Sequence, residues 1–116
     1  MLRESSQQTG ALDNLNLQGT VNPEADTGVP HGNLLTAFAE AAVQQTDALP
    51  GLGEQIVAEL GVQELVDAAG VVANFQRMVR IADGCGIPLD EFTKDATDDC
   101  REELGLHEYA SAANTA

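Results

Sequence analysis

Apolar positions are sparse in the first 32 residues and then recur with helical spacing to about residue 104. Leu34, Leu35, Phe38, Ala41, Ala42 and Leu49 predict a first helix, with Asn33 suited to cap it and Pro50-Gly51 to end it. Ile56, Val57 and Leu60 fall on one side of a short second helix at about 53 to 60, and Gly61 suits the position just past its end. A third helix runs from about Val62 to Gly84. Its apolar residues (Val62, Leu65, Val66, Ala69, Val72, Ala73, Phe75, Met78, Val79, Ile81 and Ala82) are too many for one narrow stripe. A helix apolar on most faces is usually covered by neighbours, so this one is expected to be long, central and buried. Gly70 within it costs about 1 kcal/mol relative to alanine, and close approach of another helix would account for it. Gly84-Cys85-Gly86 and Pro88 break the pattern. Asp90 caps a fourth helix over 91–104, with Phe92, Ala96, Cys100 and Leu104 repeating every four residues as its inner face, and Gly105 stops it.

No strong strand signal interrupts these patterns. The fold class expected is all-α, a compact bundle of about four helices over residues 33–106. Residues 1–32 read as a flexible, irregular N-terminal arm, rich in Gln, Asn, Thr, Gly and Glu. Leu12, Leu15 and Leu17 are its notable apolar cluster, with docking on a neighbour as the alternative. The tail from His107 to Ala116 reads as frayed.

Length and charge narrow the function. With 116 residues one domain is expected, near the size where a single core is only marginally sufficient, so burial between subunits would help. The chain carries 19 acidic and 5 basic residues, a formal charge of −14. Such a field repels phosphate backbones and anionic lipid, so neither nucleic acid nor a membrane is expected as a partner. The first ten residues lack the apolar run of a signal peptide, and no segment has about eighteen continuous apolar residues. A cytoplasmic location is therefore expected, with Cys85 and Cys100 as reduced thiols.

Candidate chemistry concentrates in the third helix. Asn74, Arg77, Arg80 and Asp83 are polar residues in an apolar segment. Arg80 and Asp83 are three apart and can pair, as can Asn74 and Arg77. Buried polar groups need partners, so the structural reading is that these four fix how helices dock. The functional alternative is a pocket near Arg77 and Arg80 holding a small anionic molecule. Cys85 is the alternative nucleophile, of a thiol-dependent peroxidase or redox protein, with Arg80 lowering its pKa, although a helix C-terminus disfavours a thiolate. Cys100 reads as a small core residue. No metal site is expected: His31 and His107 are far apart, and no paired Cys or His spacing occurs. The acidic run from Asp95 has a superficial likeness to a calcium loop. It fails at its sixth position, Cys100, and its twelfth, Leu106. No cofactor is expected.

Asn74-Phe75, Met78, Arg80-Ile81-Ala82-Asp83 and Gly86-Ile87-Pro88-Leu89-Asp90 together resemble the closing segment of alkylhydroperoxidase D-like proteins, of the carboxymuconolactone decarboxylase-like superfamily. The resemblance covers roughly residues 34 to 92 and is strongest over 65–90. It implies an all-helical fold that assembles into dimers or larger oligomers. Redox-active members use a Cys-x-x-Cys pair with nearby histidine and glutamate, upstream of the segment matched here. This chain has no such pair and no histidine between His31 and His107, so no catalytic residue carries over. The chain therefore looks like the later half of that fold without its active-site half, which implies either a non-catalytic, self-associating relative or a domain whose chemistry lies elsewhere.

Overall fold

The computed structural model describes residues 15–115. They form α1 (Gly32–Gln44), α2 (Leu49–Glu59), α3 (Val62–Cys85) and α4 (Glu91–Glu103), with short 3-10 turns at Leu17–Thr20, Leu106–Glu108 and Ala110–Thr115. Among the described residues there is no strand, and the fold class is all-α. The chain falls into two units, one ending at Arg77 and the other beginning at Met78. Helix α3 contributes residues to both.

The first unit is built on a small apolar core of Leu17, Phe38, Ala41 and Ile56. Part of the expected flexible arm belongs to this core, and the rest, residues 1–14 with Leu12, lies outside the described residues. Asn16 caps the first 3-10 turn by accepting from the Gln18 N–H at 3.0 Å, and its own N–H donates to the Thr27 carbonyl at 3.0 Å. Thr27 is buried between Gly19 and Gly32. A Cβ on Gly19 would meet the Thr27 backbone at 3.0 Å, and one on Gly32 would meet the Thr27 hydroxyl. The two glycines thus make the slot that draws the leading segment onto α1.

Helix boundaries differ from expectation where the backbone turns without a sequence signal. Helix α1 begins at Gly32 behind His31, which adopts a left-handed conformation and makes no capping bond, so Asn33 is inside the helix. It ends at Gln45, also left-handed, whose N–H donates to the Ala41 carbonyl. Pro50-Gly51 therefore do not terminate α1. They lie in the first turn of α2, where the missing proline N–H has no helical partner to lose. Gly61, at φ 130°, closes α2 as expected, with its N–H donating to the Ile56 carbonyl at 3.1 Å.

Helix α3 spans the expected residues, but it is not buried. None of its residues is buried, and Phe75 is 60% exposed, Val66 59% and Val71 57%. Within the first unit its half-buried residues are Leu65, Ala68, Val72 and Gln76, one stripe at helical spacing. The physical reason is that α1 and α2 meet α3 near its start, where Leu65 and Ala69 share a groove with them, whereas α3 is apolar along its whole length and on several sides.

In the second unit α4 starts as expected. Asp90 accepts from the Thr93 N–H at 2.9 Å and the Thr93 hydroxyl at 2.7 Å. The inner face is rotated from the one expected. Phe92 is 83% exposed and Ala96 is exposed, while Thr93, Thr97, Cys100, Arg101 and Leu104 are half-buried. Arg101 lies on the covered side, donating to the Lys94 carbonyl at 3.1 Å and to Asp98 at 2.8 Å. The tail, expected to fray, is tied back: Thr115 accepts from the Leu89 N–H at 3.1 Å, and its carbonyl accepts from Lys94 Nζ at 3.2 Å.

The hydrogen bonds from Thr93 hold the Asp90 carboxyl below its ordinary value of 3.8. A pKa depressed by folding means that the folded state releases this proton more readily than the unfolded one. The cap is therefore at full strength above about pH 4 and is lost as the pH falls through the lowered value. Backbone amide exchange at the start of α4 is expected to accelerate on acidification. In Asp90→Asn, which keeps a capping oxygen that does not titrate, that acceleration should vanish. Identical pH profiles for the two proteins would show that the cap is not the cause.

Candidate functional site

The four polar residues singled out on α3 are all exposed. Asn74 and Arg77 do pair, with the Arg77 guanidinium donating to Asn74 Oδ1 at 2.9 Å. Among the described residues no ion pair joins Arg80 to Asp83. The reason for expecting these groups to lock helices together was burial, and burial is what the chain does not supply.

Cys85 is an exposed free thiol at the last position of α3, and Cys100 is a half-buried free thiol on α4. Arg80 and Cys85 are five residues apart on one helix, about 140° apart around its axis. The arginine therefore projects from a different side of α3 than the thiol it was expected to acidify. Among the described residues no group of three His, Cys, Asp or Glu could hold a metal ion. His31 Nδ1 lies 3.3 Å from Glu59 Oε2 and bridges the start of α1 to the end of α2. Glu59 also accepts from Gln55 at 2.8 Å, and this bond, with His31 second, lowers its carboxyl below the ordinary value.

Two concavities stand out, and neither is lined by Arg77 or Arg80. The first unit has an open apolar groove of about 690 Å³, walled by Phe38, Ala42, Leu49, Val57, Leu65 and Ala69. The second unit has a more polar cavity of about 860 Å³, with Ile87, Leu89, Lys94, Arg101 and Tyr109 in its wall. Its two cations already have partners: Lys94 in the Thr115 carbonyl, Arg101 in Asp98 and the Lys94 carbonyl. Among the described residues, Arg101 Nε is the buried side-chain atom without one. The sequence reading passed over Lys94 and Arg101. The signal available was their spacing to Asp98, four and three residues, which aligns all three along one side of α4.

Among the described residues no helix is long and apolar enough to cross a membrane. Comparison with protein-family models, curated proteins and solved structures gives no match.

Proposed function

We propose that this chain is a non-catalytic helical protein that works as a self-associated assembly, with α3 as the element that associates. The observation that carries this reading is that α3, 24 residues long, has no buried residue, although Val62, Val66, Val71, Phe75, Met78, Val79 and Ile81 all lie on it. Exposed apolar surface of this extent on one element marks an interaction surface rather than ordinary scatter. Two facts support a second copy as the partner. The core is small, so a single chain buries little apolar surface against its conformational entropy. The resemblance of Leu65–Asp90 to alkylhydroperoxidase D-like proteins points toward a family whose helices assemble.

The non-catalytic part rests on the separation of the reactive groups. Cys85 has neither a second cysteine nor a histidine within a helical turn, and Arg80 projects elsewhere. Sedimentation velocity across a wide concentration range tests the reading. The expected result is a dimer or larger species that dissociates on dilution. A chain that sediments as a monomer throughout would defeat it.

A further inference from the structure

We propose that the cavity of the second unit is a binding site for a small organic monocarboxylate, an acid with a short apolar body, whose carboxylate is held by Arg101. The site lies within one unit of a single chain and does not depend on self-association.

The cavity presents two unlike surfaces. Ile87, Leu89 and Tyr109 line it and are exposed, so apolar side chains lie open to solvent there. At about 860 Å³ the space is of the size that takes a small molecule. Lys94 and Arg101 stand in the same wall. They come from a chain with only 5 basic residues against 19 acidic ones.

The donors left over define the head of the ligand. In Arg101 the hydrogen bonds are made by Nη2, to the Lys94 carbonyl and to Asp98. Among the described residues Nη1 and Nε have no acceptor, and Nε is buried. A guanidinium holds its N–H groups in a fixed plane and cannot shed its charge. The N–H groups of Nη1 therefore remain for an acceptor, on a guanidinium already part-stripped of water. Low local polarity strengthens the hydrogen bond such a group makes. Lys94 Nζ has a neutral partner, the Thr115 carbonyl, and so keeps N–H groups to spare. An oxyanion is the acceptor that charged donors bind best.

Charge limits that oxyanion to a single negative charge. Asp83 and Asp98 line the cavity as well and balance Lys94 and Arg101. A monoanion enters a balanced site, whereas the second charge of a phosphate dianion meets two carboxylates with no cation to answer it. The exposed apolar side chains then take the body of the acid and leave water as they do so.

The experiment is an NMR titration of the full chain, isotope-labelled at nitrogen, read at the backbone amides and at the Arg101 Nε–H signal. The probes are sodium acetate, butyrate and hexanoate, then hexanamide and inorganic phosphate, all at one ionic strength. Hexanoate is expected to shift the Arg101 Nε–H signal and the amides of Leu89 and Tyr109. Affinity should climb from acetate to hexanoate by about two- to fourfold per methylene. Hexanamide and phosphate should bind about tenfold or more weakly than hexanoate. Arg101→Lys keeps the charge but removes the planar fork, and should weaken hexanoate about tenfold. Ile87→Ser, at an exposed position, should weaken hexanoate about threefold and leave acetate unchanged. The probe series and Ile87→Ser decide the matter even if Arg101→Lys fails to fold. Hexanoate in large excess that leaves these signals unmoved, or moves only those of the first unit, would overturn the site. Phosphate bound as tightly as hexanoate would overturn the monocarboxylate, and acetate bound as tightly would overturn the apolar body.

Discussion

Phe38→Ala is expected to leave the first unit unfolded at room temperature. Phe38 is 5% exposed and is the largest member of a core whose other apolar residues are Leu17, Ala41 and Ile56. Truncating a buried phenylalanine costs about 3 to 5 kcal/mol, the transfer of the ring plus the cavity left behind. A unit of this size has a total stability of only a few kcal/mol, at about 0.05 to 0.15 kcal/mol per residue. The loss is therefore of the same order as the whole. Leu49, Val57 and Leu65 border the same groove, so how far they collapse into the space sets where in this range the loss falls. Urea unfolding followed by circular dichroism should show no cooperative transition. A transition shifted by less than about 1 kcal/mol would mean that the ring contributes little to the core.

Gly32→Ala should destabilise the same unit by about 1 to 3 kcal/mol, although alanine is the better helix former. Its methyl would land on the hydroxyl of the buried Thr27. Rotation of Thr27 gives no escape. Its Oγ1 accepts from the Val29 N–H at 3.1 Å, its methyl packs at Gly19, and its own Cβ would remain 3.1 Å from the new group. Removing the hydroxyl and methyl together relieves most of the conflict. The double variant Gly32→Ala with Thr27→Ala should therefore lose less than the sum of the two single changes. Strict additivity in the melting free energies would show that Gly32 and Thr27 do not share the slot.

Helix termini were legible where one residue type is required by backbone geometry. Gly61 and Gly105 have positive φ and end helices, and Asp90 caps one. Where a residue without that preference makes the turn, as Gln45 does, the pattern runs on and the boundary is misread. Pro50 was read as a stop because proline cannot continue a helix, yet it can begin one. The packing of Leu17 and Thr27 was invisible, since it depends on a slot between glycines thirteen residues apart.

The polar cluster was legible as residues but not as environment. Asn74, Arg77, Arg80 and Asp83 were placed correctly on one helix, and their apolar neighbours suggested burial. Periodicity reports which faces of a helix are apolar. It does not report whether the cover comes from the same chain. Helix α4 shows the converse error, since the four-residue repeat pointed Phe92 inward while Phe92 is exposed and Arg101, 13% exposed at its side chain, turns inward.

Helix α4 also makes the second unit a gauge of the surrounding electrolyte. Glu91 with Asp95, Asp95 with Asp99, Asp98 with Glu102 and Asp99 with Glu103 are like charges one turn apart. Each such pair opposes the helix by a few tenths of a kcal/mol in dilute buffer. Salt shortens the reach of these repulsions to about 10 Å at 0.1 M and about 3 Å at 1 M. The apolar contacts of the first unit gain nothing from that screening. Helix α4 therefore answers to the ionic strength of the solvent around it, and a brine would tighten it.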